Sequence, residues 1–555
     1  MNTDSNLTFR QVRNVSGFSR PMSVTDAFIY NFLAMGIIFP WTYLWGPASF
    51  PGSNIELGIW LTLLAQIPIS LAYCFLATVL PVNGGDYIYQ TRAFGKWGYI
   101  FVLSGFVIWI LQWVALSGWL FATLGVAPWL LSVGVISNNQ TLCAWGLAVQ
   151  TPGGVFAISI ALALVTTLFL IRGLRLYVRA QRFLFVATIT SVLVVIYVFI
   201  SKQATFSTDL NAFVNTLTNL SGLKTSPLLS RDFFTFIQSD VTKAGFNISP
   251  TFSFLATLGI IPIAWTSLQW ATYSVEQNTE ISEADHFWKQ LYILMGSAVL
   301  VTIFLWLIAH FEHIATTKSF MVAASAAYWL QIGSPDTVST VKTVVQPFPN
   351  ILAMAACKSL VLTSLIALGF LANAFQVACN CFIGATRILV AMGTDGFHRP
   401  LHLEKVNPVW HAPLRAHWFY FFASIPFIVA YNFLPNWVTY SLGVTFACGY
   451  VFTVSSLAAT RIPSKLRSAW ITSDIHNFKP WIIKTVGYVG FGSGATMVLS
   501  YLIFPQLGIT GTVPYLIVFG IGVFAYAVYV ISKARSPLIE KTMEQVPDEV
   551  DDFYR

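Results

Sequence analysis

Hydrophobic residues in this chain fall in long unbroken runs, and polar residues collect in the gaps between them. Runs of about 20 apolar residues, the length of helix that crosses a bilayer core, recur along nearly the whole sequence and leave little room for a soluble domain. About twelve such runs are predicted, at 22–46, 55–80, 97–127, 153–171, 183–201, 252–275, 288–310, 360–391, 415–434, 437–460, 481–505 and 513–533. Two connecting stretches are long, Lys202 to Pro250 and Phe311 to Asn350. The second contains FMVAASAAYWL at 320–330, too short to span and therefore expected to lie on the outer surface as a helix.

Two runs are interrupted. The first reads NFLAMGIIFPW, with Gly36 and Pro40 inside it, and the sixth reads TLGIIPIAWTSLQW, with Gly259 and Pro262. A broken helix leaves backbone groups unpaired, which hydrocarbon does not tolerate unless they line a protein cavity. Paired interruptions five spans apart point to an inverted-repeat transporter with its site at mid-membrane. The plainer reading is an ordinary kink, since Gly and Pro are frequent in membrane helices.

Composition supports the membrane reading. Of 555 residues, 56% are hydrophobic and 9% charged, with mean hydropathy +0.69, outside the range of soluble domains. No short apolar segment with a small-residue cleavage site precedes the first run, so a removable signal peptide is not expected. With the N-terminus inside, the N-terminal stretch and the inner loops hold roughly 23 of the 30 Lys and Arg, the outer loops about six, and Lys358 is left over. That bias predicts cytoplasmic N- and C-termini. The net charge of +8 is then mostly this signal; it suits anionic lipid headgroups and implies no nucleic-acid partner. Five of the six cysteines fall in or beside apolar spans and Cys143 alone in an outer loop, which excludes an outer-loop disulfide framework. Asn139, Asn219 and Asn247 head N-x-S/T sequons in loops placed outside.

The most specific motif lies between the second and third runs, PVNGGDYIYQTRAFGKW at 81–97. It resembles the second-to-third-helix seam of the amino acid-polyamine-organocation permeases, Pro-x-x-Gly-Gly-x-Tyr-x-Tyr followed by Arg and Gly. Pro81, Gly84, Gly85, Tyr87, Tyr89, Arg92 and Gly95 fill those places. TRILVAMGTDGFHRP after the eighth run is similar to a second signature of that family, through Arg387, Ala391, Met392, Asp395, Gly396 and Pro400, with Thr386 and Thr394 replacing the usual Ser and Arg. KVNPVWHAPLRA from Lys405 and YSVEQNTEI at 273–281 also resemble family segments.

The resemblance implies an all-α polytopic membrane protein with a five-plus-five inverted repeat, broken helices 1 and 6 and two peripheral helices. The division expected is a tail at 1–21, a transport core at 22–460, a loop at 461–480, two further helices at 481–533 and a tail at 534–555. It further implies substrate contacts at the two breaks: Ala34, Met35, Gly36 and Ile37 stand where the family has Gly-Ser-Gly-Ile. Ile263, Ala264, Trp265, Thr266, Ser267, Leu268 and Gln269 align with its aromatic-Ala-aromatic-x-Gly-x-acid run. Unpaired N–H groups of a restarting half-helix suit a carboxylate. Trp265 would cap the side chain or ammonium, and Gln269, replacing an acid, cannot titrate. In the seam at 81–97, Gly84 and Gly85 permit a sharp turn, Tyr87 and Tyr89 would anchor a short interfacial helix, and Asp86 and Arg92 would face water or each other. The seam is read as an inner gate or as a static anchor.

Ionisable residues at depth are few. Lys358 precedes Arg387 by 29 residues, about 43 Å of helix, which places it at the outer end as a snorkelling residue or a coupling lysine. HFEH at 310–313 has no partner cluster and makes a weak metal candidate. No paired acids, His-rich set or nucleophile with its base lies in the spans, so an enzyme is not expected. An uncharged pocket favours a neutral amino acid. The expectation is a plasma-membrane secondary transporter working by alternating access, with no cofactor beyond a coupling proton or sodium ion. Polyamine or cationic amino acid exchange and a non-transporting sensor are the alternatives.

Overall fold

Because unpaired N–H and C=O groups are costly in hydrocarbon, apolar runs of this length fold as helix. A computed structural model of the chain describes residues 17–37, 41–222, 232–434, 436–443, 446–507 and 512–547. Among these, nine helices are long and apolar enough to cross a bilayer. Three more elements complete the set, and we number all twelve in chain order. α1 is split into Val24–Ala34 and Trp41–Ser49. α2 is Ile55–Val79, α3 Lys96–Ile136, α4 Pro152–Leu170, α5 Leu174–Lys202, α6 Phe254–Glu276, α7 Phe287–Thr316 and α8 Leu360–Thr394. α9 is Leu414–Phe433 and α10 is described over Trp437–Gly443 and Phe446–Ala458. α11 is Pro480–Ile503 and α12 Val513–Arg535.

The first half of α1 lies against the end of α6 and its second half against the beginning of α6, so the two interrupted helices run antiparallel side by side. α5 packs along α8, and α2 against α6 and α11. Small residues set these distances, as in other membrane bundles. A Cβ on Gly369 of α8 would fall 2.2 Å from the Ser191 Cβ of α5, and one on Gly118 of α3 2.3 Å from Ser159 Oγ of α4.

Two expectations change. The third crossing does not stop near residue 127; α3 continues to Ile136, with π-helical stretches at Leu103–Ile108 and Leu120–Val126. The apolar segment at 320–330 is helical, as Lys318–Ser325 continued by a π-turn, but it does not lie on the surface. Phe320 to Ala327 are buried, packed on the second half of α1 and on the helix Phe233–Lys243. Its length is too short for a membrane because its solvent is protein.

Candidate functional site

The α1 break begins where α-helical pairing ends, at Ala34. Gly36 turns with φ of 60°, the left-handed region that glycine enters without penalty. The carbonyls left behind are taken by α8: Asn373 Nδ2 donates to Leu33 O at 3.1 Å and Asn380 Nδ2 to Tyr30 O at 3.5 Å. Tyr177 of α5 donates to Asn380 Oδ1 at 2.8 Å, and Gln376 Nε2 to the Tyr177 hydroxyl at 2.9 Å. Ala34, Met35, Gly36 and Ile37 are buried. A cavity of about 20 Å³ lies beside Ile37, walled by Tyr43, Ser191 and Asn350 among others.

The α6 break is displaced from its sequence-based place. Residues 263–266 remain α-helical, and the departure begins at Gln269, where a 3-10 helix runs to Glu276. Pro262 suggested the earlier point, but neighbouring helices satisfy the backbone there. The Thr62 hydroxyl of α2 donates to Ile261 O at 3.3 Å and the Tyr501 hydroxyl of α11 to Pro262 O at 2.9 Å. Trp265 faces the same way: its Nε1 donates to Gln66 Oε1 of α2 at 2.7 Å, and its ring lies against Gly449 of α10. Thr266 bonds back to Ile263 O, and Gln269 Nε2 to Thr266 O. Trp265 thus faces α2 and α10, and Ile263, Ala264 and Thr266 lie in the α-helical stretch before the break.

A register seven residues later restores the pattern. Trp270, Ala271, Thr272, Tyr273, Ser274, Val275 and Glu276 place an aromatic, an alanine, a small residue and an acid at the first, second, fifth and seventh positions. These residues touch α1. Asn31 of α1 and Ser274 are joined reciprocally, Asn31 Nδ2 donating to Ser274 Oγ at 3.0 Å and Ser274 N to Asn31 Oδ1 at 2.8 Å. Tyr30 stacks on Tyr273 with centroids 6.2 Å apart. Trp270 packs edge-on to Trp113 of α3 at 5.3 Å and to Phe452 of α10 at 5.7 Å, with Phe106 closing the group. The Tyr30 and Tyr273 hydroxyls and Thr272 Oγ1 are buried without hydrogen-bond partners. Polar groups so placed are available to a ligand.

Below this layer, on the face where α1 begins, the 81–97 motif forms a seal. Gly84 adopts φ of 77° and donates its N–H to Glu276 O at 2.8 Å. A Cβ there would lie 2.6 Å from the Ala391 Cβ, and one on Gly85 equally close to Val275. Asn83 and Thr279 exchange two bonds of 2.9 Å, and Met22 pairs with Ile281. Asp86 and Arg92 face neither water nor each other. Asp86 accepts the hydroxyls of Tyr73 and Ser455, and its N–H donates to Glu276 Oε1 at 3.2 Å. Burial pushes the Asp86 carboxyl above its ordinary range. Arg92 forms a bidentate pair with Asp395 at 2.7 and 3.0 Å, Tyr87 donates to the same carboxylate at 2.6 Å, and Arg92 Nε donates to Gln545 O at 3.0 Å. Arg387 makes a second bidentate pair with Glu280, at 3.0 and 3.1 Å. Tyr87 and Tyr89 are fully buried and anchor nothing at an interface.

Lys358 lies at the far end of the bundle, 71% exposed, 2.7 Å from Asp209, which also pairs with Lys202. It is remote from the breaks. His310 and His313 both approach Glu56, and no metal-holding group occurs among the described residues. Asn31, Trp270, Tyr273, Ser274 and Glu276 are candidate site residues that the sequence reading passed over. Asn31, a polar residue within the first apolar run, and Glu276, an acid at the end of the sixth, were the available signals.

The family model described as "Amino acid permease" matches residues 27–531. The "Uncharacterized protein 399" of Sulfolobus islandicus rod-shaped virus 1 is 35% identical over 99 residues, 18% of this chain. The chain spans about a quarter of that viral protein, 24% of its length. With a match over nearly its whole length, and with two interrupted helices joined beside a glycine-turned seal, the chain belongs to the amino acid permease family.

Proposed function

We propose that the protein carries neutral amino acids across the plasma membrane by alternating access, with both termini in the cytoplasm. The observation that carries the reading is the junction of the two breaks. Asn31 and Ser274 fasten them together, the unpartnered Tyr30, Thr272 and Tyr273 oxygens lie in that layer, and the surrounding aromatic group is uncharged. A zwitterion brings its own compensating charges, whereas an unmatched charged side chain would be costly to desolvate there. The α1 residues Ala34 to Ile37 offer backbone donors to the carboxylate, and Trp270 offers a ring face to the side chain or ammonium.

We assign ion coupling to a proton at Glu276. Its Oε1 accepts the Asp86 N–H and its Oε2 has no partner. The Asp86 backbone thus lies against the Glu276 carboxylate, and neither acid has a cation paired to it among the described residues. Breaking the seal would expose Glu276 to the cytoplasm, which ties proton release to opening.

Counterflow in proteoliposomes tests the function: vesicles are loaded with one unlabelled amino acid and entry of the same labelled compound is followed. Saturable entry for a neutral subset is expected, with a pH gradient driving accumulation in the wild type and failing to do so in Glu276→Gln. Silence for every amino acid and polyamine in folded, inserted protein overturns the reading. Entry restricted to arginine, lysine or polyamines overturns the neutral preference.

A further inference from the structure

At the end of the bundle opposite the seal, a cavity of about 450 Å³ opens between α3, the α3–α4 connection, the 328–346 segment and the start of α10. Its volume is in the range of small-molecule sites. Three aromatic residues line it, Trp119, Tyr328 and Trp329, together with the amides of Gln150 and Gln346. Lys342 is the one charged residue in that lining. It makes no ion pair among the described residues, and partial burial pulls its ammonium below the usual lysine range. An unpaired, partly desolvated cation with no acid beside it favours an anionic ligand.

Gln346 adds the complementary half. It is 5% exposed, and its Nε2 is already used, donating to Lys342 O at 3.0 Å. Its Oε1 is buried without a partner and accepts only from a donor. The cavity therefore offers a cation for a carboxylate, an acceptor for an ammonium and ring faces for a side chain. Trp329 also packs, tilted, against Trp45 in the second half of α1, with centroids 5.5 Å apart. One ring thus separates this cavity from the second half of the interrupted helix α1.

We propose that this cavity is a second, outer binding site for an α-amino acid, which binds its carboxylate on Lys342 and its ammonium on Gln346 Oε1. The proposal rests on the reading that the protein carries amino acids, and assigns an additional place where the same class of compound is held before it reaches the central site.

The test is lysine footprinting of the full-length protein in lipid nanodiscs. Lys342 is acetylated by a soluble amine reagent and quantified by peptide mass spectrometry, with each protein amino acid in turn, acetate or glucose present. At an amino acid concentration of ten times Kd, Lys342 labelling is expected to slow about tenfold, with exposed Lys358 unchanged. Acetate should protect less and glucose not at all. Protection should persist in Trp270→Phe, which perturbs the central site, and Gln346→Leu should reduce amino acid protection to that given by acetate. Absence of protection by any amino acid overturns the proposal, as does equal slowing at Lys358 or equal protection by acetate in the wild type. Counterflow of the same preparation reports on the transport reading separately: active counterflow with an unprotected Lys342 refutes the outer site alone, and protection without counterflow refutes transport alone.

Discussion

Asp395→Asn distinguishes a gate from a strut. Arg92 and Asp395 meet through two bonds of 2.7 and 3.0 Å, with side chains 3% and 5% exposed. Removing one partner of such a pair typically costs about 3–5 kcal/mol, because the survivor is left buried and uncompensated. Asparagine keeps the shape and strands the guanidinium. If the seal opens during transport, Arg92 reaches water in the open state, and the cost falls on the sealed state alone. A loss of about 3 kcal/mol then shifts the ratio of open to sealed forms by on the order of 100-fold. The reporter is Val390→Cys, 7% exposed on α8 behind the seal. All six native cysteines are buried, so modification by a hydrophilic maleimide reads access at residue 390. The labelling rate should rise by roughly two orders of magnitude in Asp395→Asn and fall back when Arg92→Gln removes the stranded charge. An unchanged rate in a folded Asp395→Asn protein would show that this face does not open by parting this pair, and the gating argument would be refuted.

The remaining predictions concern other parts of the bundle. Trp265→Phe should lower thermal stability by about 1–3 kcal/mol, since it leaves Gln66 without its donor, with little change in transport kinetics. Trp270→Phe should instead raise the half-saturation concentration in counterflow, by about tenfold for a lost ring contact of 1.4 kcal/mol; the reverse pattern would return the site to Trp265. Gly84→Ala should destabilise the protein by about 1–3 kcal/mol, from its positive φ and the 2.6 Å approach to Ala391, measured as a fall in melting temperature. Burial lowers the His398 ring to about 4, so the unfolded chain binds the extra proton first. Stability should be full above about pH 6.5 and decline as pH falls towards 4, by at most about 3 kcal/mol before solvent screening; His398→Asn should flatten that part of the pH–melting curve.

The crossings were legible because a bilayer imposes length and apolarity locally, and the first break was legible because Gly36 is the only kind of residue that turns there without penalty. The second was misplaced by seven residues. Both Ile263–Gln269 and Trp270–Glu276 carry an aromatic near an alanine, and Pro262 drew attention to the first of them, although α2 and α11 supply the bonds that keep that stretch helical. The partners of the charged seam were not legible at all. Arg92 meets Asp395 at a sequence separation of 303, and Asp86 meets Ser455 at 369. Each motif could be recognised singly, but nothing local says that the two signatures at 81–95 and 386–400 are halves of one lock. The helix at 320–330 failed for a related reason: its composition reports an apolar environment and does not distinguish protein from lipid.

The reciprocal bond between Asn31 and Ser274 has a consequence for fidelity. A carrier leaks when one of its moving parts travels without the other, since solutes and ions then slip through an uncoupled cycle. Here the first half of α1 cannot swing away from the irregular end of α6 without giving up two buried hydrogen bonds, a cost of about 1–3 kcal/mol at each orphaned group. The pair works as a clutch. It makes slippage a rare excursion, and a side chain too short to bridge the gap at position 31 would convert a tightly geared carrier into a wasteful one that still binds its cargo.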